Sequence, residues 1–165
     1  MILVLMGVCG SGKTTVGEVL AQELAWPFFD ADDFHPEGNV AKMASGQPLT
    51  DADRWPWLDG IADEMRRVLA RGGHAVLACS ALKDAYRSRL QRAGDVRIVY
   101  LKGDQLTIAT RLAQRHHKYM PASLLPSQFA ALEEPADALV VDIRQSIAAQ
   151  VQCIRDAFAI GAPHP

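Results

Sequence analysis

Apolar residues recur along this chain with two different periods. Residues 2–6 (ILVLM) form an unbroken apolar run that stops at Gly7, the pattern of a strand covered on both faces. Over 14–25, Val16, Val19, Leu20 and Leu24 recur at helical spacing between polar Glu18, Gln22 and Glu23, which predicts an amphipathic helix. Pro27 stops it, and Phe28-Phe29 make a second strand running into Asp30. Three more short apolar runs read as strands: 75–79 (AVLAC), 96–101 (VRIVYL) and 138–143 (ALVVDI). Helices are expected over 39–45, from a cap at Asp51 to about Arg71, and over 86–92, 104–116, 124–132 and 146–159, with a fraying end at 162–165. Five strands alternating with helices predict an α/β fold, a parallel sheet with helices on both faces.

No repeat, low-complexity block or linker divides the 165 residues, so 1–165 reads as a single domain. Two insertions interrupt the alternation. One, at about 36–58, is punctuated by Pro36, Gly38, Gly46, Pro48 and Pro56. The other, at about 111–132, reads as a lid. Both are placed to cover the C-terminal edge of a parallel sheet, where such folds bind ligands.

Composition narrows the class. With 49% apolar and 22% charged residues the chain is globular. A net charge of −2, from 17 basic and 19 acidic side chains, argues against nucleic acid as a partner. No apolar run is long enough for a membrane span, and 2–6 lacks the flanks of a signal peptide, so a cytoplasmic protein is expected. Cys9, Cys79 and Cys153 form no CxxC pair and predict neither a disulfide framework nor a zinc site.

The strongest chemical signal is Gly7-Val8-Cys9-Gly10-Ser11-Gly12-Lys13-Thr14, which meets G-x-x-x-x-G-K-[ST] at every fixed position. A strand precedes it and a helix follows. Such a loop presents backbone N–H groups to phosphate above a helix N-terminus. Lys13 is expected to reach the terminal phosphates of ATP, and the Thr14 hydroxyl to ligate Mg2+. These eight residues and the next one, Thr15, are the expected nucleotide-binding set. A dinucleotide fingerprint is excluded because Thr15 stands where its third glycine belongs. No N-K-x-D string is present to read guanine.

Residues downstream of the phosphate loop supply the acceptor side. Asp30, Asp32 and Asp33 close the second strand, which in a parallel sheet puts carboxylates near the phosphates. Asp30 can orient Mg2+ through its water shell. Asp32 can accept a proton from the attacking hydroxyl or orient it, and Asp33 is the choice for the solvent-facing member. His35 can donate to an acceptor hydroxyl or carboxylate. Arg54 and Lys83 can pin an anionic acceptor, while Trp57 reads as packing. Arg111, Arg115, His116, His117 and Lys118 concentrate charge at one helix end, as a lid that neutralises the transferring phosphoryl group requires.

The chain resembles the short P-loop gluconokinases. The resemblance is carried by the phosphate loop and by Asp30-Ala31-Asp32, His35-Pro36, Lys42-Met43, Asp53-Arg54, Pro56-Trp57-Leu58, Cys79-Ser80-Ala81-Leu82-Lys83, Tyr86-Arg87 and Ser127-Gln128-Phe129. It implies a kinase core related to shikimate and nucleoside-monophosphate kinases. It also implies Mg-dependent transfer of the ATP γ-phosphate to the 6-hydroxyl of D-gluconate, by a soluble homodimer. In those terms Lys13 and Thr14 hold phosphate and metal, and Asp32 faces the acceptor hydroxyl. His35, Arg54, Lys83 and Gln128 bind the sugar acid, Arg111 lies near the adenine and Arg115 acts from the lid. Cys9 stands where serine is common, and Lys118 and Tyr119 where histidine and phenylalanine are typical. Ala31 replaces a usual glycine, with a methyl group expected to crowd the pocket slightly.

Overall fold

The computed structural model describes residues 1–114 and 125–161. Five strands, β1 (Ile2–Met6), β2 (Phe28–Asp30), β3 (Ala75–Ala78), β4 (Val96–Lys102) and β5 (Leu139–Asp142), form one sheet in the order β2-β3-β1-β4-β5. Every pairing is parallel. The helices are α1 (Lys13–Leu24), α2 (Glu37–Ala44), α3 (Asp51–Ala70), α4 (Asp84–Gln91), α5 (Gln105–Gln114), α6 (Leu125–Ala131) and α7 (Ile147–Ala157). One 3-10 turn, Ala31–Phe34, follows β2.

Strand periodicity divides the core. On β1, Leu3 and Leu5 face Val16, Leu20 and Leu24 of α1 and Val151 and Ile154 of α7. Ile2, Val4 and Met6 face the opposite way, onto Trp57, Leu58, Ile61 and Met65 of α3 and Leu90 of α4. All five β1 side chains are buried, as an unbroken apolar run requires. The central strand therefore delivers the phosphate loop to the middle of the C-terminal edge. Its neighbour β3 and the edge strand β2 bring their own loops to the same edge.

Helix bounds differ from the sequence expectation by one or two residues at most described ends, and one cap is reassigned. Thr50, not Asp51, is the N-cap of α3. The Thr50 hydroxyl accepts from Asp53 N and the Asp53 carboxylate accepts from Thr50 N, a reciprocal capping box. Asp51 is thus the first helical residue, and its carboxylate is free for other partners. Pro56 lies inside α3, and the carbonyl it leaves without an N–H partner belongs to exposed Ala52, where water can satisfy it. The expected fraying end and much of the expected lid, including Arg115, His116, His117 and Lys118, lie outside the described residues.

Candidate active site

The phosphate loop runs from β1 into α1, whose first residue is Lys13. Gly10 and Gly12 adopt φ of 82° and 96°, a region that disfavours side chains. Gly10 is also crowded: a Cβ there would come within 3.0 Å of Leu112 and 3.2 Å of Ile108, both on α5. Lys13 Nζ donates to Gly7 O at 3.0 Å and Val8 O at 3.1 Å, which holds the ammonium against the loop's outer arm. Burial pushes the Lys13 pKa down, and the Asp32 and Asp30 carboxylates oppose that push. Ser11 is fully buried beneath the loop, so its backbone is what it can offer a nucleotide. Thr15 is half-buried on the first turn of α1.

The two residues expected to serve a metal are joined directly. Thr14 Oγ1 donates to Asp30 Oδ2 at 3.2 Å, and Asp30 Oδ1 accepts from Asp32 N at 3.0 Å. A hydroxyl and a carboxylate beside a phosphate loop are hard oxygen donors, the set that suits Mg2+ with retained waters. No group of three or more His, Cys, Asp or Glu side chains that could hold a metal ion occurs among the described residues. On the far side of the loop, Arg111 lies about 4.0 Å from where a Gly12 Cβ would be, and its Nη2 donates to Ile143 O. Arg111 therefore lies against the phosphate loop, on the side of Ile143.

Asp32 opens into the cleft with its side chain 88% exposed. The cleft walls and then Asp30 raise its pKa, Lys13 opposes them, and water access limits the effect. Asp33 is exposed as well, so exposure does not separate the two. The His35 side chain is only 6% exposed and stacks on Trp57, ring centroids 4.3 Å apart and planes 12° apart. Burial, then the Arg54 charge, lowers its pKa, so the imidazole is neutral at pH 7. Asn39 Nδ2 lies 3.4 Å from His35 Nδ1 and can only donate. This assigns the ring proton to Nε2, which lies 3.9 Å from Asp32 Oδ1. Trp57 Nε1 donates to Ala31 O at 2.7 Å. Trp57 thus packs, as expected, and also props the His35 ring.

Arg54 and Lys83 converge on one tyrosine. Arg54 lies 5.7 Å and Lys83 5.6 Å from the centre of the Tyr86 ring. Arg54 Nη1 donates to Leu49 O at 2.8 Å and reaches Tyr86 Oη at 3.4 Å. Lys83 Nζ lies 2.9 Å from both Asp51 oxygens, and the Tyr86 hydroxyl donates to the same carboxylate. Those two donors, Tyr86 first, hold the Asp51 pKa below its usual value, and Asp51 raises that of Lys83. Behind this group, Lys42 Nζ meets Asp53 Oδ1 at 2.6 Å, and Asn39 Nδ2 donates to Asp53 O at 2.9 Å. Both bonds dock α2 against the start of α3, and hydrogen bonds from Lys42 and Thr50 bring the Asp53 pKa down to about 2.

One expectation changes, that for Ala31, and two residues have partners that the sequence did not show. Lys83 is not a lone cation awaiting an anion, since Asp51 already pairs with it. The Ala31 methyl does not crowd the pocket: Ala31 is 1% exposed and packs in the core beneath α3. Gln128, expected with the acceptor-binding residues, bonds the phosphate loop, its Oε1 accepting from Cys9 N at 2.6 Å. Sequence reasoning missed the parts played by Asp51, Tyr86, Asn39 and Asp53. The Thr50-x-x-Asp53 spacing could have revealed the capping box and freed Asp51 for the site.

Comparison with known proteins shows the family of this chain. Residues 9–150 match the shikimate kinase family. A gluconokinase of Gluconobacter oxydans is 53% identical over 137 residues, spanning 82% of this chain and 76% of that protein. The crystal structure of a gluconokinase from Sinorhizobium meliloti superposes with a TM-score of 0.84 at 40% identity, over 95% of this chain and 90% of that one. The structure of a sugar kinase from Janibacter does so with a TM-score of 0.90 at 40% identity, over 99% and 98%. The phosphate loop, the Thr14–Asp30 pair and the cationic cluster around Tyr86 thus sit in a chain that belongs to the gluconokinase family of shikimate kinase-type P-loop kinases.

Proposed function

We propose that this chain transfers the γ-phosphate of ATP to the 6-hydroxyl of D-gluconate, giving 6-phospho-D-gluconate and ADP. The observation that carries the reading is the placement of Arg54 and Lys83 around Tyr86, beside His35 and Asp32, at the sheet edge that holds the phosphate loop. An acceptor with one carboxylate and several hydroxyls needs fixed cations next to short polar groups, and both are supplied there. Gluconokinases among the relatives support that acceptor.

Thr14 and Asp30 would hold Mg2+, which would neutralise charge on the transferring phosphates. Lys13 would bind the terminal phosphate, and Arg111 would serve the nucleotide end. The primary hydroxyl of gluconate is un-ionised at neutral pH, so placement and late proton removal matter more than prior activation. The hydroxyl oxygen attacks phosphorus in line, the bond from phosphorus to the β-bridging oxygen breaks, and ADP leaves. Asp32 takes the hydroxyl proton and, being open to water, passes it to solvent. His35 Nε2–H donates toward the acceptor, and Arg54 holds its carboxylate together with Lys83, whose ammonium is shared with Asp51. Arg115 is proposed to act on the transferring group from the 111–132 region, and the resemblance supports a cytoplasmic homodimer.

The test is ADP release with Mg-ATP and D-gluconate, shikimate, glucose, 2-ketogluconate or no acceptor. Release with gluconate alone, with 6-phosphogluconate as product, is expected. Release with shikimate instead would move the acceptor assignment. Asp32→Asn should lower kcat by roughly a hundredfold or more, the range for a general base, with little change in ATP binding. Equal losses in both would remove Asp32 from the acceptor side.

A further inference from the structure

Gln128 is 119 residues from Cys9 in sequence, yet its side chain bonds the phosphate loop. A backbone N–H only donates, so the partner of Cys9 N must be the carboxamide oxygen. The carboxamide nitrogen is then necessarily beside that bond. Among the described residues Nε2 has no hydrogen-bond acceptor. Gln128 is only half-exposed, which gives a two-proton donor with no acceptor among the described residues a defined place at the loop.

That place is where donor and acceptor meet. Cys9 immediately follows Gly7 and Val8, whose carbonyls receive the Lys13 ammonium. Its thiol also feels the charges of both Lys13 and Asp32. A neutral donor on the arm whose carbonyls hold the Lys13 ammonium, at a residue within reach of the Asp32 charge, is placed for the last phosphate of a nucleotide and not for its earlier ones.

We propose that Gln128 reads the terminal phosphate: Oε1 braces the Cys9 amide while Nε2 donates to a γ-phosphoryl oxygen. The proposal rests on the reading of this chain as an ATP-dependent kinase but does not depend on which acceptor it uses. A plain structural role differs in one respect. A brace needs only the oxygen, whereas a phosphate reader needs the nitrogen.

Gln128→Glu separates these roles, because a carboxylate can still accept from Cys9 N but offers the phosphate no proton and adds a negative charge. Binding of the β,γ-imido analogue of ATP and of ADP, each with Mg2+, is measured by calorimetry on the full chain. The wild-type ratio of the two affinities is the reference. Gln128→Glu is expected to weaken the triphosphate analogue roughly tenfold or more, the scale of a lost hydrogen bond to a charged group, and to leave ADP within about twofold. Gln128→Ala should lose triphosphate preference in the same direction and by less, since it adds no charge. Normal ADP binding certifies a folded loop in each variant. An unchanged ratio in Gln128→Glu overturns the proposal and leaves a brace. Equal weakening of both ligands in both variants overturns it as well. Wild-type chain that binds neither nucleotide would sink the kinase reading itself, whereas selective binding without gluconate turnover would leave Gln128 in place and move only the acceptor.

Discussion

Arg87 is 3% exposed, and its guanidinium holds the loop that presents Lys83. Nη1 donates to Ala81 O at 3.1 Å and Leu82 O at 3.0 Å. Its acidic neighbour Asp84 is 3.4 Å away and 75% exposed, so the buried charge rests mainly on two carbonyls. Arg87→Met removes both bonds, each worth about 1.5–3 kcal/mol when one partner is charged. It also returns much of the arginine's desolvation cost, several kcal/mol. Leu82 O keeps a second donor, Glu133 N at 2.9 Å, so the Ala81 carbonyl is the one left bare. The net loss is that of one orphaned buried acceptor, about 2 kcal/mol. For a domain of this size it corresponds to a Tm lower by about 4–8 °C. Function should suffer separately. Ala81 has φ 41°, a left-handed conformation that costs a non-glycine residue about 1–2 kcal/mol and persists only while the surroundings enforce it. Released from Arg87, the loop can relax by that amount, and Lys83 loses its placement. The gluconate KM should then rise about tenfold, the equivalent of ~1.4 kcal/mol, with kcat at saturation nearly unchanged. Thermal melts and Michaelis curves on the same preparation check both. A lower Tm with a normal KM would show that Arg87 supports the fold but not the acceptor pocket. An unchanged Tm would refute the accounting from the start.

The His35 pKa lies below its ordinary value of 6.5, so the unfolded chain takes up the proton first on acidification. Its contribution to stability is complete above that value and is lost as pH falls from 6.5 toward the folded pKa; His35→Gln should flatten the decline of Tm between about pH 7 and 5, and parallel declines would argue against it. Gly17→Ala puts a Cβ 2.6 Å from Phe28 Cε2 and 3.1 Å from Leu5 Cδ1. Overpacking of about 1–3 kcal/mol outweighs the ~1 kcal/mol gained in helix propensity, so denaturant melts should show a less stable protein with an ordinary ATP KM, and a stabilised variant would mean that the Phe28 ring moves aside freely.

The parts of the molecule legible in the sequence are those set by local pattern. The apolar run at 2–6, the glycines after it and the helical spacing from Val16 to Leu24 specify strand, loop and helix within 25 residues, and the structure has all three there. What was not legible depends on partners far apart in the chain. Lys83 reads as a free cation until Asp51, 32 residues earlier, is seen against it. Nothing in the sequence pairs Gln128 with Cys9, and only the placement of α6 shows it. Ala31 defeats the sequence pattern for a different reason: alternation along a three-residue strand followed by a 3-10 turn has too short a run to say which side a methyl faces. The α3 cap falls at Thr50, one residue before the expected position, because capping depends on a reciprocal pair of bonds, not on the identity of one polar side chain.

The sheet order gives these long-range pairings a common origin. Because β1 is central, its loop is reached from both sides. From β3 comes Ser80, whose carbonyl accepts from Gly7 N at 3.3 Å. From the β4 side come Ile108 and Leu112 of α5 against Gly10, and then Gln128 of α6 on Cys9 N. The β3–α4 loop that bonds Gly7 also carries Lys83 and is held by Arg87. Among the described residues that loop reaches the phosphate loop by a long backbone bond and is also tied to the segment after α6 by Glu133, whose N donates to Leu82 O and whose Oε2 accepts from Asp84 N, whereas the α5–α6 side grips the phosphate loop by packing and by a short side-chain bond. This asymmetry makes the two sets of variants distinguishable. Loosening the β3–α4 loop at Arg87 should be felt by gluconate, with the phosphate loop left in place. Altering Gln128 should be felt by the terminal phosphate, with Arg54 and Lys83 undisturbed.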